Sequence, residues 1–313
     1  MARKIKGEKL DGWLILDKPQ GLTSTDCVTR AKRFFNAQKA GHAGTLDPMA
    51  TGILAIAFGE ATKTVPYAMD AEKIYRFEAS WGAATDTDDA EGKVIATSDV
   101  RPVPAAVLAA LPAFLGWTQQ IPPAYSAVKV DGERAYDLAR EGEVVELKSR
   151  PAFIRRLEVV ETPSPDRTVF EMTCGKGVYV RAFVRDIAKI LGTCAHVSVL
   201  RRLRVGGFGE AGAISLEALG EMAYSDAAKL HVHPVETALD DIPALAIGEA
   251  DTARIRSGQA VPVRGTAFAT AEAMMEGAGD EPPVLLLKSQ SGRPVAMAEL
   301  KLGSFHPLRV FNL

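Results

Sequence analysis

Apolar and polar positions change period along this chain, and the changes divide it into elements. "GWLIL" (12–16) is a continuous apolar run closed by Asp17, Lys18 and Pro19-Gln20-Gly21, the pattern of a buried strand entering a turn. "DCVTRAKRFFN" places Val28, Ala31 and Phe35 near one face and Arg30, Lys32 and Arg33 elsewhere, which predicts an amphipathic helix capped by Ser24 or Thr25. "TGILAIAFG" predicts a second β-rich run, and "ATKTVPYAMDAEK" a short helix kinked or begun at Pro66. In "KIYRFEASWG", Ile74, Arg76 and Glu78 alternate with Tyr75, Phe77, Ala79 and Trp81, a period of two that predicts a strand. "VPAAVLAALPAFLG" reads as a helix, and "PAFIRRLEVVE" and "TVFEMTC" as strands. "VYVRAFVRDIAKILG" enters a helix stopped by Gly192, and "HVSVLRRLRVGGF" is a further strand with a basic rim.

Two connecting stretches carry unusual charge. "AATDTDDAEGKV" is an acidic turn that superficially suggests a calcium loop, but its glycine falls at the wrong step and no glutamate closes it. "IPPAYSAVKVDGERAYDLAREGE" opens with a Pro-Pro break and carries Lys129, Arg134 and Arg140, so it reads as a projecting basic element. After about residue 235 the character changes. "IRSGQAVPV", "PVLLLKSQSGRPVAMAELK" and "HPLRVFNL" read as short strands with tight turns, hence a small β domain, with "AEAMMEGAGDEPP" an Ala/Gly/acidic loop between them. No internal repeat is visible.

The totals add class rather than chemistry. At 313 residues, 47% hydrophobic and 24% charged, the chain suits about two globular domains. Three cysteines without a CxxC pair argue against a disulfide framework or zinc site and fit a reducing cytoplasm. The basic start has too short an apolar run for a signal peptide, and "ILAIAF" (53–58) falls far short of a membrane span. The net charge of −2 hides an uneven distribution. Residues 1–39 hold nine Lys/Arg against four Asp/Glu, and 174–206 hold seven against Asp186 alone, whereas 210–251 hold nine acidic residues against Lys229. Folding that joined the two basic segments would make a face for a polyanion such as RNA, though basic residues also simply solvate amphipathic elements.

One stretch concentrates candidate chemistry. "GHAGTLDPMATG" (41–52) sets His42 and Asp47 among small residues, with glycines that let the backbone turn and another molecule approach. Taken alone, an Asp before Pro is most often a turn former and a lone His a surface residue. Tyr75, on a predicted strand, defaults to core, although an aromatic ring is also what an unstacked base would lie on. Tyr179 and Arg181 are two apart and share a face if that segment is extended.

"LDKPQGLTS", "KAGHAGTLDPMATGIL", "YRFEASWGAATDTDDAEG", "PPAYSAVKVDGERAYDLAREG" and "CGKGVYVRAFVRDIA" occur in the order found in bacterial tRNA pseudouridine(55) synthases, and from about Asp11 to Phe208 the chain resembles this TruB family. The resemblance implies an α/β (α+β) fold. A mixed, largely antiparallel sheet flanked by helices would form a catalytic domain over 1–234, with an RNA-gripping insert at about 121–150. A PUA-like RNA-binding β domain over 235–313 would follow.

The implied reaction isomerises a uridine in the T arm of tRNA, exchanging an N–C glycosidic bond for a C–C bond. It needs no metal and no cofactor, and the only partner is tRNA, bound by a cytoplasmic monomer without a protein partner or membrane. The family pattern makes Asp47 the catalytic carboxylate and Arg181 the arginine that pairs with it. It puts Tyr75, Tyr179 and the apolar Leu200 in the pocket of a flipped uracil, and His42 in the gap left in the RNA stack. Lys129, Arg134, Arg201, Arg202 and Arg204 are candidate phosphate contacts. Lys18, also counted among the RNA-backbone candidates, belongs with Pro19 to a motif that reads mainly as support for the catalytic loop. Val178 and Phe183 depart from the family pattern without touching the proposed chemistry. Two other readings compete: an RNA-binding or tRNA-folding protein without chemistry, and a hydrolase using a carboxylate pair. Against the latter, Asp86, Asp88 and Asp89 read as turn formers.

Overall fold

A computed structural model of the chain describes residues 7–126, 128–130, 132–136, 147–264 and 282–313, with the side chains of Lys129, Val130 and Arg134 outside that description. A large mixed sheet organises the first two thirds. From edge to edge its main strands are Ile214–Ser215, Gly12–Lys18, Thr51–Phe58, Ala195–Val205, Lys73–Trp81, Arg167–Cys174, Arg150–Ser164 and Gly116–Gln120. Two neighbouring pairs are parallel, Gly12–Lys18 with Ile214–Ser215 and Thr51–Phe58 with Ala195–Val205; the rest of this path is antiparallel. The mixed, largely antiparallel sheet expected from sequence is therefore present.

Burial explains the two continuous apolar runs. Leu14, Leu16, Leu54 and Ile56 point into a core shared with the Ser24–Phe34 and Val180–Ile190 helices. Trp13, Ile15, Ile53, Ala55 and Ala57, on the opposite side, share a core with Leu286 and Met297 of the C-terminal sheet and with Phe311 just beyond it. A strand covered on both faces has no reason to alternate. Phe183, a departure from the family pattern, is fully buried and meets Phe77, Phe114 and Phe170 edge-on at 4.9–5.7 Å, so the larger ring is accommodated by an aromatic cluster.

The C-terminal strands form a separate five-stranded sheet, ordered Ala244–Ile247, Val284–Ser289, Pro294–Lys301, Ser304–Val310 and Val261–Pro262. Ile247, Ile255, Leu285 and Phe305 belong to its own core, as expected of the small PUA-like domain. Residues 271–281 of the acidic loop, and Arg140 of the insert, lie outside the described residues. Pro122 and Pro123 are buried at the root of that insert, which continues into the short Lys129–Val130 and Glu133–Arg134 pairing.

Local readings needed two corrections. The cap of the first helix is Thr23, not Ser24 or Thr25: its hydroxyl accepts from the Asp26 N–H, while the Asp26 carboxylate accepts from the Thr23 N–H. Ser24 instead turns inward to the 41–52 loop. Tyr179 and Arg181 are not on one extended segment, because the helix begins at Val180 and Tyr179 is its cap. They reach a common site from two sides of a helix start.

Candidate active site

The 41–52 segment is bare in composition but tightly held. The Ser24 hydroxyl accepts from the Leu46 N–H at 2.8 Å and donates to the Leu46 carbonyl at 3.1 Å. Leu46, Met49 and Ala50 are buried, the Gly21 N–H donates to the Pro48 carbonyl, and the Ala50 N–H donates to the Asp47 carbonyl. Gly44 and Gly52 have positive φ, +84° and +97°. At Gly52 an added Cβ would collide with the Arg202 backbone, so close strand approach within the chain already demands glycine there. Gly41 needs no such freedom: it sits in the Ala40–Ala43 strand opposite Ala57, with open space around it.

Two cations expected to touch RNA are buried supports of this loop. Lys18 is fully buried and its ammonium donates to the carbonyls of Pro19 (2.9 Å), Leu22 (2.6 Å) and Pro48 (3.2 Å). Burial pushes its pKa down, while Cys27 and Asp47 pull it back up. Arg202, 1% exposed, donates to the carbonyls of Ile53 (2.7 Å) and Gly44 (3.1 Å). Neither reaches solvent, so neither is a phosphate contact; each satisfies buried carbonyls that would otherwise be orphaned. Lys18→Met should therefore destabilise the fold by roughly 2–4 kcal/mol, since three acceptors lose a charged donor. The salt dependence of tRNA binding should not change. A flattened salt slope with an unaltered unfolding midpoint would restore the phosphate role.

Asp47 is carried by this frame to Arg181, whose Nη2 lies 2.9 Å from its Oδ2. Arg181 is 4% exposed and fully committed. It also faces Asp89 at 3.4 Å and donates to the carbonyls of Thr87 and Tyr125, each at 2.8 Å. Asp47 keeps 34% of its side chain exposed, so the pair presents its carboxylate side to incoming molecules. Packing pushes the Asp47 carboxyl above its ordinary value; the Arg181 guanidinium opposes that, and the Asp89 charge adds to it.

Of the remaining expected residues, Tyr75 and Tyr179 lie within reach of the Asp47 charge. Tyr75 packs against the core cluster that contains Leu200, and burial raises its phenol, with the Asp47 charge adding to the rise. Leu200 is 6% exposed and is thus a core residue; in the sheet it pairs with Phe77, two positions along the strand from Tyr75. Burial and the Asp47 charge likewise raise the Tyr179 phenol. His42 is half-buried in the Ala40–Ala43 strand. Its Nδ1 is buried without a hydrogen-bond partner among the described residues, and burial lowers its pKa. Arg204 is exposed, as a phosphate contact requires. Arg201 is half-buried and already paired, bidentate to Asp17 at 2.9 Å and to Glu210 at 2.6 Å. The two basic segments therefore meet, but mostly through compensated charges. Lys129 and Arg134 fall on side chains outside the described residues.

Sequence reasoning missed two residues. Asp89, read as a turn former, is 4% exposed; its carboxylate accepts from Thr87 Oγ1 and the Glu91 N–H and faces Arg181. Gln120 grips the backbone of Tyr179, its Nε2 donating to the Tyr179 carbonyl and its Oε1 accepting the Tyr179 N–H. The inward turn of Asp89 left no periodic signal, and a glutamine at a strand end carries none. Among the described residues no His/Cys/Asp/Glu cluster could hold a metal, and no helix is long and apolar enough to cross a membrane.

Comparison with known proteins bears on this arrangement. A family model described as TruB family pseudouridylate synthase (N terminal domain) matches residues 32–180, and one described as tRNA pseudouridylate synthase B C-terminal domain matches 181–240. Over its full length the chain is 55% identical to tRNA pseudouridine synthase B of Caulobacter vibrioides, with all of that relative covered. It is 54% identical to the same-named protein of Bradyrhizobium diazoefficiens, covering 89% of it. Among solved structures, a chain of a Cbf5-Nop10-Gar1 complex superposes with a TM-score of 0.72 at 25% identity, over 96% of this chain and 84% of that one. A structure of an H/ACA RNP bound to a substrate RNA containing 2'-deoxyuridine gives 0.72 at 22% identity, over 100% and 92%, a likeness of fold.

Proposed function

Because the chain belongs to the TruB family of pseudouridylate synthases and has tRNA pseudouridine synthase activity, we propose that its target is uridine 55 in the T arm and that Asp47 is the catalytic carboxylate. The observation that carries this reading is the 2.9 Å Asp47–Arg181 pair, with Asp47 alone keeping an open side. In the reaction the N1–C1' bond of uridine breaks and a C5–C1' bond forms. The C5 proton leaves and N1 takes one up, so atoms and electrons balance without an oxidant or reductant.

A stacked base hides the bonds concerned, so the nucleotide must first flip out, at a cost of a few kcal/mol. Tyr75 supplies a ring for the everted uracil, worth about 1–3 kcal/mol, beside the apolar wall of Leu200. Tyr179 closes the other side, and His42 occupies the gap in the RNA stack. Neutral imidazole, favoured by its lowered pKa, suits insertion between bases. Asp47, held ionised by Arg181, is competent as nucleophile or base at the sugar or the uracil. Arg204, Lys129 and Arg134 contact phosphates. Residues 1–234 form the catalytic unit and 235–313 a second RNA-binding unit, acting as a monomer without a cofactor.

The test is tritium release from a T-arm stem-loop labelled at C5 of the target uridine. Release equal to the pseudouridine formed is expected, with no free uracil. Free uracil among the products would identify a hydrolase, and no release from the labelled T-arm uridine would overturn the assignment of position 55.

A further inference from the structure

The Val180–Ile190 helix sends a second guanidinium toward the same two segments that Arg181 grips. One turn after Arg181, Arg185 faces Asp88 at 3.2 Å and donates to the Ile121 carbonyl at 2.7 Å. Its other bonds go to Asp186, at 2.9 and 3.2 Å, which Lys189 also faces at 3.6 Å. The spacing matches on both sides. Arg181 and Arg185 are four apart on the helix, and the carbonyls they donate to, those of Tyr125 and Ile121, are four apart in the loop at the root of the insert. On the acidic turn Arg181 takes Thr87 and Asp89, and Arg185 takes Asp88 between them. The helix, turn and loop are thus tied by two rungs, an inner one at 4% exposure and an outer one at 19%.

Only the inner rung touches Asp47. Three of the four acceptors that set the Arg181 fork belong to the turn and the loop. The turn is pinned to the sheet, its Ala90 N–H donating to the Val197 carbonyl and its Asp88 carbonyl accepting the Val197 N–H, but among the described residues no backbone hydrogen bond ties either segment to the helix. We propose that Arg185 is a positioning residue for the isomerisation: it holds the acidic turn and the 121–125 loop in register with the helix, so that Arg181 meets Asp47 in the productive geometry. The inference rests on the assignment of Asp47 as the reacting carboxylate. It predicts an effect on turnover rather than on RNA affinity, because Arg185 lies behind the pair.

The experiment is steady-state kinetics of full-length variants on the tritiated stem-loop across pH, with thermal unfolding midpoints measured in parallel. Arg185→Met is expected to lower kcat by about tenfold to a hundredfold, the loss typical of a small misalignment, with KM nearly unchanged. The acidic limb of kcat should move to higher pH, since a less well-placed guanidinium holds Asp47 ionised less effectively. The other groups that act electrostatically on Asp47 are Asp89, Lys18, Glu91, Tyr75 and Tyr179, and the substitution removes none of them. Arg185→Lys should recover little, because one ammonium cannot span Asp88, Asp186 and Ile121 as the fork does. Asp88→Asn should act in the same direction and add little to Arg185→Met.

A folded Arg185→Met protein with wild-type kcat and acidic limb would overturn the proposal, as would full rescue by lysine. Should Arg185→Met fail to fold, Asp88→Asn decides by the same two readouts. Asp47→Ala is the control that separates the failures. Turnover surviving in it sinks the Asp47 assignment, whereas a dead Asp47→Ala beside fully active Arg185 variants sinks only the role of Arg185.

Discussion

Asp47→Ala is expected to remove pseudouridine formation, with kcat falling by about 10⁴-fold or more, the scale of losing a reacting group. Affinity for tRNA should stay within about tenfold, ~1.4 kcal/mol. The two effects separate because Asp47 contributes no positive charge to phosphate binding, and its loop is held by bonds that bypass its side chain. Ser24 fixes Leu46, Lys18 and Gly21 fix Pro48, and Leu46 and Met49 fill the core. Alanine therefore deletes the carboxylate without releasing the loop. Single-turnover tritium release and a filter-binding isotherm on the same preparation check both halves. Turnover within tenfold of wild type would remove Asp47 from the chemistry, and with it the reading of the Arg181 pair as its electrostatic support.

Arg181→Met is the second large effect. Arg181 is buried, faces two carboxylates and donates to two carbonyls, so its loss leaves Asp89 buried without its cation. Breaking such a pair destabilises by roughly 3–5 kcal/mol. Turnover at neutral pH should fall by about 10²–10³-fold, the range for removing one preorganised electrostatic partner. The sign of the pH effect follows from the charges. Packing already raises the Asp47 carboxyl, and Arg181 is the largest influence lowering it, so its removal raises that pKa further. A carboxylate with a raised pKa is ionised only at higher pH, so the acidic limb of kcat should shift upward and the deficit should shrink as pH rises. A pH–rate profile that drops uniformly, with its limb where wild type has it, would show that Arg181 acts on the fold and not on the ionisation of Asp47.

Much of this was readable from residues in order. Continuous apolar runs at 12–16 and 51–58 marked a buried strand and a β-rich run, and the period of two in 73–81 placed Tyr75, Phe77 and Trp81 together. The helix at 24–34 was readable, but its cap was not: Thr23, Ser24 and Thr25 are all able caps, and only the partner carboxylate of Asp26 singles out the first. Asp47 stood out through its motif, whereas Asp89 did not, because an aspartate in an acidic turn looks the same whether it faces water or a buried arginine.

The chemical inventory was set by the chain itself: one carboxylate on a glycine-bearing loop, an arginine after a tyrosine, aromatic residues on a strand, and basic segments at 1–39 and 174–206. Which cations face outward was decided only on folding. Lys18 and Arg202 are typical surface residue types, yet the carbonyls of Pro48, Gly44 and Ile53, distant in sequence, converge on them and draw both inside. A buried carbonyl needs a donor, and which donor reaches it depends on which strands lie side by side. Local pattern carries no record of that.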